Sequence, residues 1–125
     1  MRLTDGFFHI ELTNDTEGGF EAVLCTNPEH PIYKAHFPGS PITPGVCVIQ
    51  TAGELLEQKL GHRLYLKTVK NVKFLSVIIP EDGKKIKYIF SNIVEDESGA
   101  KTQVLVSDDA TVYAKISLIF SNVRL

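Results

Sequence analysis

The sequence predicts an α+β domain in which one long central helix is wrapped by an antiparallel β-sheet. A single long apolar segment, residues 43–61, carries helix start and stop signals at its two ends. Beyond this segment the chain alternates between apolar and polar residues with the period of two that β-strands show. With 125 residues the chain can bury a core without disulfides or metals, so we expect a single domain over residues 1–125.

The first 35 residues predict a β-hairpin followed by a loop. Residues 6–13 alternate enough to form a strand, and residues 20–26 form a second one. Between them, residues 14–19 are rich in the Asn, Asp and Gly that turns favour. Residues 27–31 contain two prolines and break regular structure, and the loop that follows cannot be helical across its prolines.

The long helix has well-marked limits. Thr43 is the predicted N-cap, Pro44 the first helical position and Gly61 the stop. Apolar residues cover most of its circumference, which predicts a helix enclosed by the sheet and exposed only at its last turn. These residues are Val46, Ile49, Gly53, Leu56 and Leu60, with Val48, Ala52 and Leu55 beside them. Gln50 and Glu54 are then polar residues on a mostly buried helix, and each requires a partner or a wet cavity.

The half of the chain that follows the helix predicts further strands. Residues 86–90, 102–106 and 112–118 alternate with period two, and polar turn sequences separate them. With the addition of residues 64–79, this half is expected to form an antiparallel meander.

Composition excludes several classes of function. The chain is 43% hydrophobic and 22% charged with a formal net charge of −2, so its overall charge gives no signal for nucleic acid or a membrane surface.

The N-terminus lacks the apolar run of a secretory signal and no segment is long enough to span a membrane, so a cytoplasmic protein is expected. Cys25 and Cys47 show no paired spacing, and the four histidines lack metal-ligand spacing, so we expect neither metal nor cofactor.

Charge is unevenly distributed along the chain. Residues 59–87 contain eight basic residues and two acidic ones. One interpretation is that these lysines are the solvated face of strands and protect a sheet edge against aggregation. The other is that they form a docking surface for an acidic protein.

Residues 36–46 (HFPGSPITPGV) contain the side chain and the backbone groups that indicate a chemical function. The helix start at Gly45 leaves backbone N–H groups without partners at the positive end of the helix dipole, where an oxyanion would be stabilised. His36 can accept a carbon-bound proton near neutral pH and release it again. Together they suggest chemistry on a carbonyl compound. The alternative is that His36 only fixes its loop, and that Gly39 and Gly45 only serve turn geometry.

This segment resembles the signature H-F-P-G-x-P-I-x-P-G-V of the hotdog-fold 3-hydroxyacyl-(acyl carrier protein) dehydratases, and weaker similarity extends over most of the chain. The resemblance implies a hotdog fold and elimination of water from a 3-hydroxyacyl thioester to give a trans-2-enoyl thioester, as in fatty acid biosynthesis. His36 would be the base that removes the C2 proton, and the N–H of Gly45 would bind the thioester oxygen. Phe37, Gly39 and Val46 would contact the substrate.

The resemblance also places a carboxylic acid on the helix, fourteen positions after the histidine, and here that position is Gln50. Gln50 could hold the leaving hydroxyl or a water, but it cannot donate a proton as an acid does. Glu54 lies one helical turn further and is the other candidate for the acid.

The implied partners are an acyl carrier protein with a phosphopantetheine-linked acyl chain, or acyl-CoA, and a second copy of the chain. We expect a homodimer whose sites lie at the shared boundary, and further assembly of dimers stays open. Two other functions also stay open. One is a hotdog thioesterase or isomerase, and the other is a non-catalytic subunit that binds acyl thioesters.

Overall fold

The computed structural model describes residues 2–35 and 39–124 of the chain, and in these it contains six β-strands and two α-helices. The strands are β1 (Phe8–Thr16), β2 (Gly19–Thr26), β3 (Tyr65–Phe74), β4 (Lys85–Glu95), β5 (Gly99–Ser107) and β6 (Val112–Ser121). The helices are α1 (Pro31–Ala35) and α2 (Gly45–Leu60), and a 3₁₀ turn, Leu3–Asp5, precedes β1.

The six strands form one antiparallel sheet with the order β1-β2-β4-β5-β6-β3. Helix α2 packs on one face of this sheet through a buried side that includes Val48, Ala52 and Leu55. The sheet contributes side chains such as Tyr88 and Ile116 to the same core. The predicted α+β architecture, a long helix covered by an antiparallel sheet, is therefore confirmed.

The position of β3 differs from the predicted meander. Strands β4, β5 and β6 follow one another as expected, but β3 pairs with β6 at the far edge of the sheet rather than with β4. The predicted strand over residues 64–79 is also shorter, because it ends at Phe74. The next two backbone N–H groups, those of Leu75 and Ser76, both donate to the carbonyl of Tyr113, and the ladder stops there.

Helix α2 begins one residue later than predicted. Pro44, in an extended conformation, is the N-cap, and its carbonyl accepts hydrogen bonds from the N–H groups of Cys47 and Val48. Thr43 does not cap the helix, because its side chain is hydrogen-bonded to Tyr33 instead. The C-terminal stop is confirmed, since Gly61 adopts a left-handed conformation and donates its N–H to the carbonyl of Glu57.

The sheet covers helix α2 on one side only, which corrects the prediction of a fully enclosed helix. Val46 is 72% exposed and Gln50 is also exposed, although both lie in the first half of the helix. Ile49 and Gly53 on the same side are half-buried. The first half of the predicted apolar stripe therefore faces outward from a single chain, whereas Leu56 further along the same stripe is buried.

The segment between β2 and α2 contains a short helix that was not predicted. Helix α1 begins on Pro31, whose fixed backbone angle and missing N–H suit the first helical position. Its Tyr33 is buried and stacks on Phe7, with ring centroids 5.0 Å apart. Pro31, which the sequence predicts to break regular structure, is thus the first residue of a helix. This helix directly precedes residues 36–39, which we call the HFPG motif.

Candidate functional site

The predicted base, His36, and the predicted substrate contact Phe37 lie outside the described residues. The chain is described up to Ala35 and again from Gly39. Gly39 is exposed in a turn with a φ of 85°, a backbone conformation that favours glycine. The structure therefore describes the surroundings of the motif through α1, residues 39–44 and the start of α2.

A cleft of about 400 Å³ lies at the N-terminal end of α2, and we call it the helix-start cleft. Its walls come from three parts of the chain that meet there. They are Ile42, Thr43, Pro44, Gly45 and Val48 around the helix start, Phe74, Ser76, Val77 and Ile78 after β3, and Tyr113 and Ala114 of β6. Most of these side chains are apolar, so the cleft suits an acyl chain better than a charged ligand.

Gly45 lines the helix-start cleft and is in close contact with Phe74. A Cβ atom at position 45 would lie 2.8 Å from the Phe74 ring, which is closer than such atoms approach. By its place in the helix, the Gly45 N–H has no acceptor within α2, and the positive end of the helix dipole lies behind it. This end of the helix can therefore stabilise an oxygen that gains negative charge, while the missing side chain makes room for the Phe74 ring.

Gln50 lines a different cleft from Gly45. This second space, of about 570 Å³, lies on the outward side of α2, and we call it the helix-side cleft. Its lining includes Val46, Ile49, Gln50, Gly53 and Glu54 from the helix and Leu66 from β3. Among the described residues of one chain, the predicted oxyanion donor and the predicted replacement for the acid thus do not share a cavity.

Glu54 has a clear structural role. Its side chain is 5% exposed, and its carboxylate accepts hydrogen bonds from the backbone N–H groups of Leu3 and Thr4, at 2.8 and 2.9 Å. The Thr4 hydroxyl and the Gln50 amide also donate to it, each at 2.9 Å. This carboxylate fastens the N-terminal turn of the chain to the middle of α2.

The same contacts set the proton affinity of Glu54. Burial by itself would raise the pKa of this carboxyl group, but the hydrogen bonds from Leu3, Thr4 and Gln50 outweigh burial and lower the pKa. A general acid that works near neutral pH needs a raised pKa. The environment of Glu54 therefore favours an anchoring role over the role of a displaced acid.

Sequence reasoning missed the aromatic residues that shape the helix-start cleft. Tyr113 lines it, and the Tyr113 hydroxyl donates to Asp108. Burial, and then the neighbouring Asp108, raise the pKa of Tyr113 to about 12, so its hydroxyl stays protonated. Phe74 was part of a predicted strand without any assigned role. Neither residue has a local sequence signal, because both reach the cleft only when the strand order is known.

The described parts of the chain contain no group of three or more His, Cys, Asp or Glu side chains that could hold a metal ion. Across residues 2–35 and 39–124, the helices also lack the length and apolar character needed to cross a membrane.

Comparison with known proteins assigns the chain to a family. A family model described as ApeI-like, ApeI dehydratase, matches residues 12–113. The chain therefore belongs to the ApeI-like dehydratase family. It is 34% identical over 131 positions to a 3-hydroxyacyl-[acyl-carrier-protein] dehydratase FabZ of Brucella ovis, covering 93% of this chain and 83% of that one. Against the enzyme of the same name from Bartonella henselae it is 36% identical over 90 residues, which cover 64% of this chain and 58% of the relative.

Solved structures confirm the hotdog fold. The dehydratase heterocomplex ApeI:P from Xenorhabdus doucetiae superimposes with a TM-score of 0.69 at 16% identity, covering 90% of this chain and 96% of that one. A putative thioesterase from Lactococcus lactis superimposes with a TM-score of 0.60 at 10% identity, covering 93% and 89%. At these identities the structural likeness establishes the fold alone, and the chemistry has to be argued from the site.

Proposed function

We propose that the protein is a dehydratase that eliminates water from a 3-hydroxyacyl thioester to give a trans-2-enoyl thioester. The observation that carries the proposal is the apolar helix-start cleft, with Gly45 in its lining and the HFPG motif in the segment that precedes it in the sequence. Membership of the ApeI-like dehydratase family and similarity to FabZ enzymes support the same reaction.

In this proposal His36 acts as the base. Its imidazole removes a proton from C2 of the substrate, and the thioester carbonyl oxygen gains negative charge as the C2–H bond breaks. The Gly45 N–H and the dipole of α2 stabilise this oxygen. The C3–O bond then breaks, the double bond forms between C2 and C3, and the hydroxide leaves as water after it takes up a proton.

Gln50 is proposed to hold the leaving hydroxyl group. Its amide can donate and accept hydrogen bonds but cannot supply a proton, so the proton that His36 took from C2 would return to the hydroxide. Such one-base catalysis is slower than catalysis with a separate acid, because a positioned acid or base contributes about 10²–10⁴ in rate.

A homodimer would bring Gln50 to the active site. In one chain Gly45 and Gln50 line different clefts, on two sides of α2. The inner face of edge strand β3 also carries four exposed apolar residues, Leu66, Val69, Val72 and Phe74. Pairing of two chains along this edge would cover these residues and could place the helix-side cleft of one chain against the helix-start cleft of the other.

An acidic acyl carrier protein is the proposed source of the substrate. The three adjacent strands β5, β6 and β3 contain five lysines and no Asp or Glu: Lys67, Lys70, Lys73, Lys101 and Lys115. None of the five forms an ion pair with a residue that the structure describes. Lys73 and Lys115 face each other across the outer face of the sheet, directly before Phe74 and after Ala114, which line the helix-start cleft. A negatively charged carrier would therefore be attracted close to the proposed site.

The decisive experiment follows hydration of a 2-enoyl thioester by its ultraviolet absorbance and the reverse dehydration by mass spectrometry. Wild-type protein is expected to catalyse both directions, and His36→Ala is expected to abolish them without changing the circular dichroism spectrum. Turnover that survives in His36→Ala removes this residue from the mechanism. Release of free thiol would identify a thioesterase instead, and saturable binding without turnover would identify a binding subunit.

A further inference from the structure

Two buried hydroxyl groups join the chain on either side of the HFPG motif. The Tyr33 hydroxyl lies 2.9 Å from the Thr43 hydroxyl, and the two residues are 3% and 6% exposed. Tyr33 belongs to α1 and precedes His36 by three residues, while Thr43 precedes the first residue of α2 by two. The bond therefore joins the two ends of the segment that contains the proposed base, and the second end lies two residues before the proposed oxyanion donor.

Each partner in this bond also contacts a different part of the fold. The Tyr33 ring stacks on Phe7, which is fully buried and follows the N-terminal turn that Glu54 holds. The Thr43 backbone N–H donates to the carbonyl of Ile78 at 2.8 Å. The hydroxyl–hydroxyl bond thus links a residue that packs on the N-terminal region to a residue whose backbone contacts the segment after β3.

Packing alone does not account for this pair. Phenylalanine and valine would fill nearly the same volumes without bringing two polar groups into the core, and burying a hydroxyl group is unfavourable unless it is hydrogen-bonded. The dehydratase signature specifies neither residue, because position 43 is one of its variable positions and Tyr33 precedes it. The pair is therefore a feature of this chain that its family resemblance leaves without a role.

We propose that Tyr33 and Thr43 are positioning residues that hold the ends of segment 34–42 together and thereby place His36 relative to Gly45. The inference rests on the proposed function, in which these two groups act on the same substrate. Productive proton transfer requires the base within hydrogen-bonding reach of the carbon-bound proton, so a small displacement of the segment slows the chemical step more than it weakens substrate binding.

Removal of either hydroxyl group tests the inference. Tyr33→Phe and Thr43→Val are each expected to lower kcat about tenfold on a small 3-hydroxyacyl thioester, with KM almost unchanged. The double variant should be no slower than either single one, because both remove the same bond. Thr43→Ser keeps the hydroxyl and should retain nearly full kcat.

Thr102→Val is the matched control. It also deletes a buried threonine hydroxyl, one that donates to the carbonyl of Ser91 at 3.1 Å, but on β5 and away from the motif. Both valine variants should lose stability in urea unfolding, and only Thr43→Val should lose kcat. Equal kcat in the two valine variants would overturn the inference.

A second readout separates the inference from the proposed function. The imidazole resonances of His36, assigned by comparison with a His36→Gln spectrum, are expected to shift or broaden in Tyr33→Phe and Thr43→Val and to stay unchanged in Thr102→Val. If wild-type protein shows no dehydratase activity, the proposed reaction fails, but this spectroscopic comparison still decides whether the pair positions His36. Identical His36 signals in all variants would refute the positioning role.

Discussion

Gln50, at the position where the family resemblance implies an acid, is expected to limit the rate of the proposed dehydration more than any other single residue. Its amide donates to the Glu54 carboxylate at 2.9 Å, so Gln50→Glu would place two carboxyl groups at hydrogen-bonding distance. Two such groups cannot both ionise easily, and one of them retains its proton to a higher pH. The new carboxyl group would therefore be available as a proton donor.

We expect Gln50→Glu to accelerate dehydration by one to several orders of magnitude, up to the roughly 10²–10⁴ that a positioned acid supplies. Steady-state rates on a small 3-hydroxyacyl thioester measure the effect, and Gln50→Ala, which should be slower than wild type, is the control. A neutral or harmful Gln50→Glu together with a damaging Glu54→Gln would instead identify Glu54 as the acid.

The hydrogen bonds of the Glu54 carboxylate lead to a separate prediction about stability. Glu54→Gln cannot accept all four hydrogen bonds that the carboxylate accepts, and a buried donor left without an acceptor costs about 1–3 kcal/mol. Because the pKa of Glu54 is lowered in the folded state from 4.5, the carboxylate contributes stability above pH 4.5 and loses it as pH falls through the lowered value.

The free energy of unfolding in urea should therefore be lower for Glu54→Gln than for wild type at pH 7, and the two should converge as the pH falls below 4.5. Glu97→Gln on an exposed turn controls for the loss of one negative charge. A difference that stays constant down to pH 3 would show that ionisation of Glu54 does not stabilise the fold.

At the scale of elements, the helix and the strands were predictable, but their arrangement was not. The Pro-Gly start and the glycine stop defined α2 to within one residue, because caps are local signals. The position of β3 next to β6 is not local, since a period-two pattern is the same whichever neighbour a strand pairs with. For the same reason no local pattern predicts that Phe74 and Tyr113 line the same cleft as Gly45, or that Glu54 accepts a hydrogen bond from Leu3.

The pairing of β3 with β6 leads to a prediction about charge. Lys73 and Lys115 are directly opposite each other, an arrangement that repulsion disfavours by a few tenths to about 1 kcal/mol. Lys73→Glu should therefore keep or slightly raise the free energy of unfolding. If these lysines dock an acidic carrier, the same change should lower kcat/KM at least tenfold for a carrier-bound substrate and leave the small thioester unaffected.

Rates with both substrates at two salt concentrations measure this effect. The control is Lys87→Glu on β4, which alters charge in a more distant part of the same sheet. Equal kcat/KM of wild type and Lys73→Glu on the carrier-bound substrate would leave these lysines only the role of protecting the sheet edge.

For the whole molecule, the question is whether one chain contains a complete site. Val46 is 72% exposed, and the apolar inner face of edge strand β3 is open to solvent in a single chain. Such surfaces are typical of an interface between subunits. Sedimentation is expected to show a dimer at micromolar concentration, and Val72→Glu, which places a charge on that face, should shift the equilibrium towards monomers.

Mixing an inactive variant, His36→Ala, with a slower one, Gln50→Ala, tests whether the dimer builds its sites from both chains. If His36 of one chain works with Gln50 of the other, a dimer of one His36→Ala chain and one Gln50→Ala chain has one doubly altered site and one intact site. Random exchange makes about half of the dimers mixed, so roughly a quarter of wild-type activity should return on mixing. If both residues acted within one chain, every site in the mixture would carry one substitution, and the activity would not rise above the mean of the two separate variants. A stable monomer would exclude the homodimer.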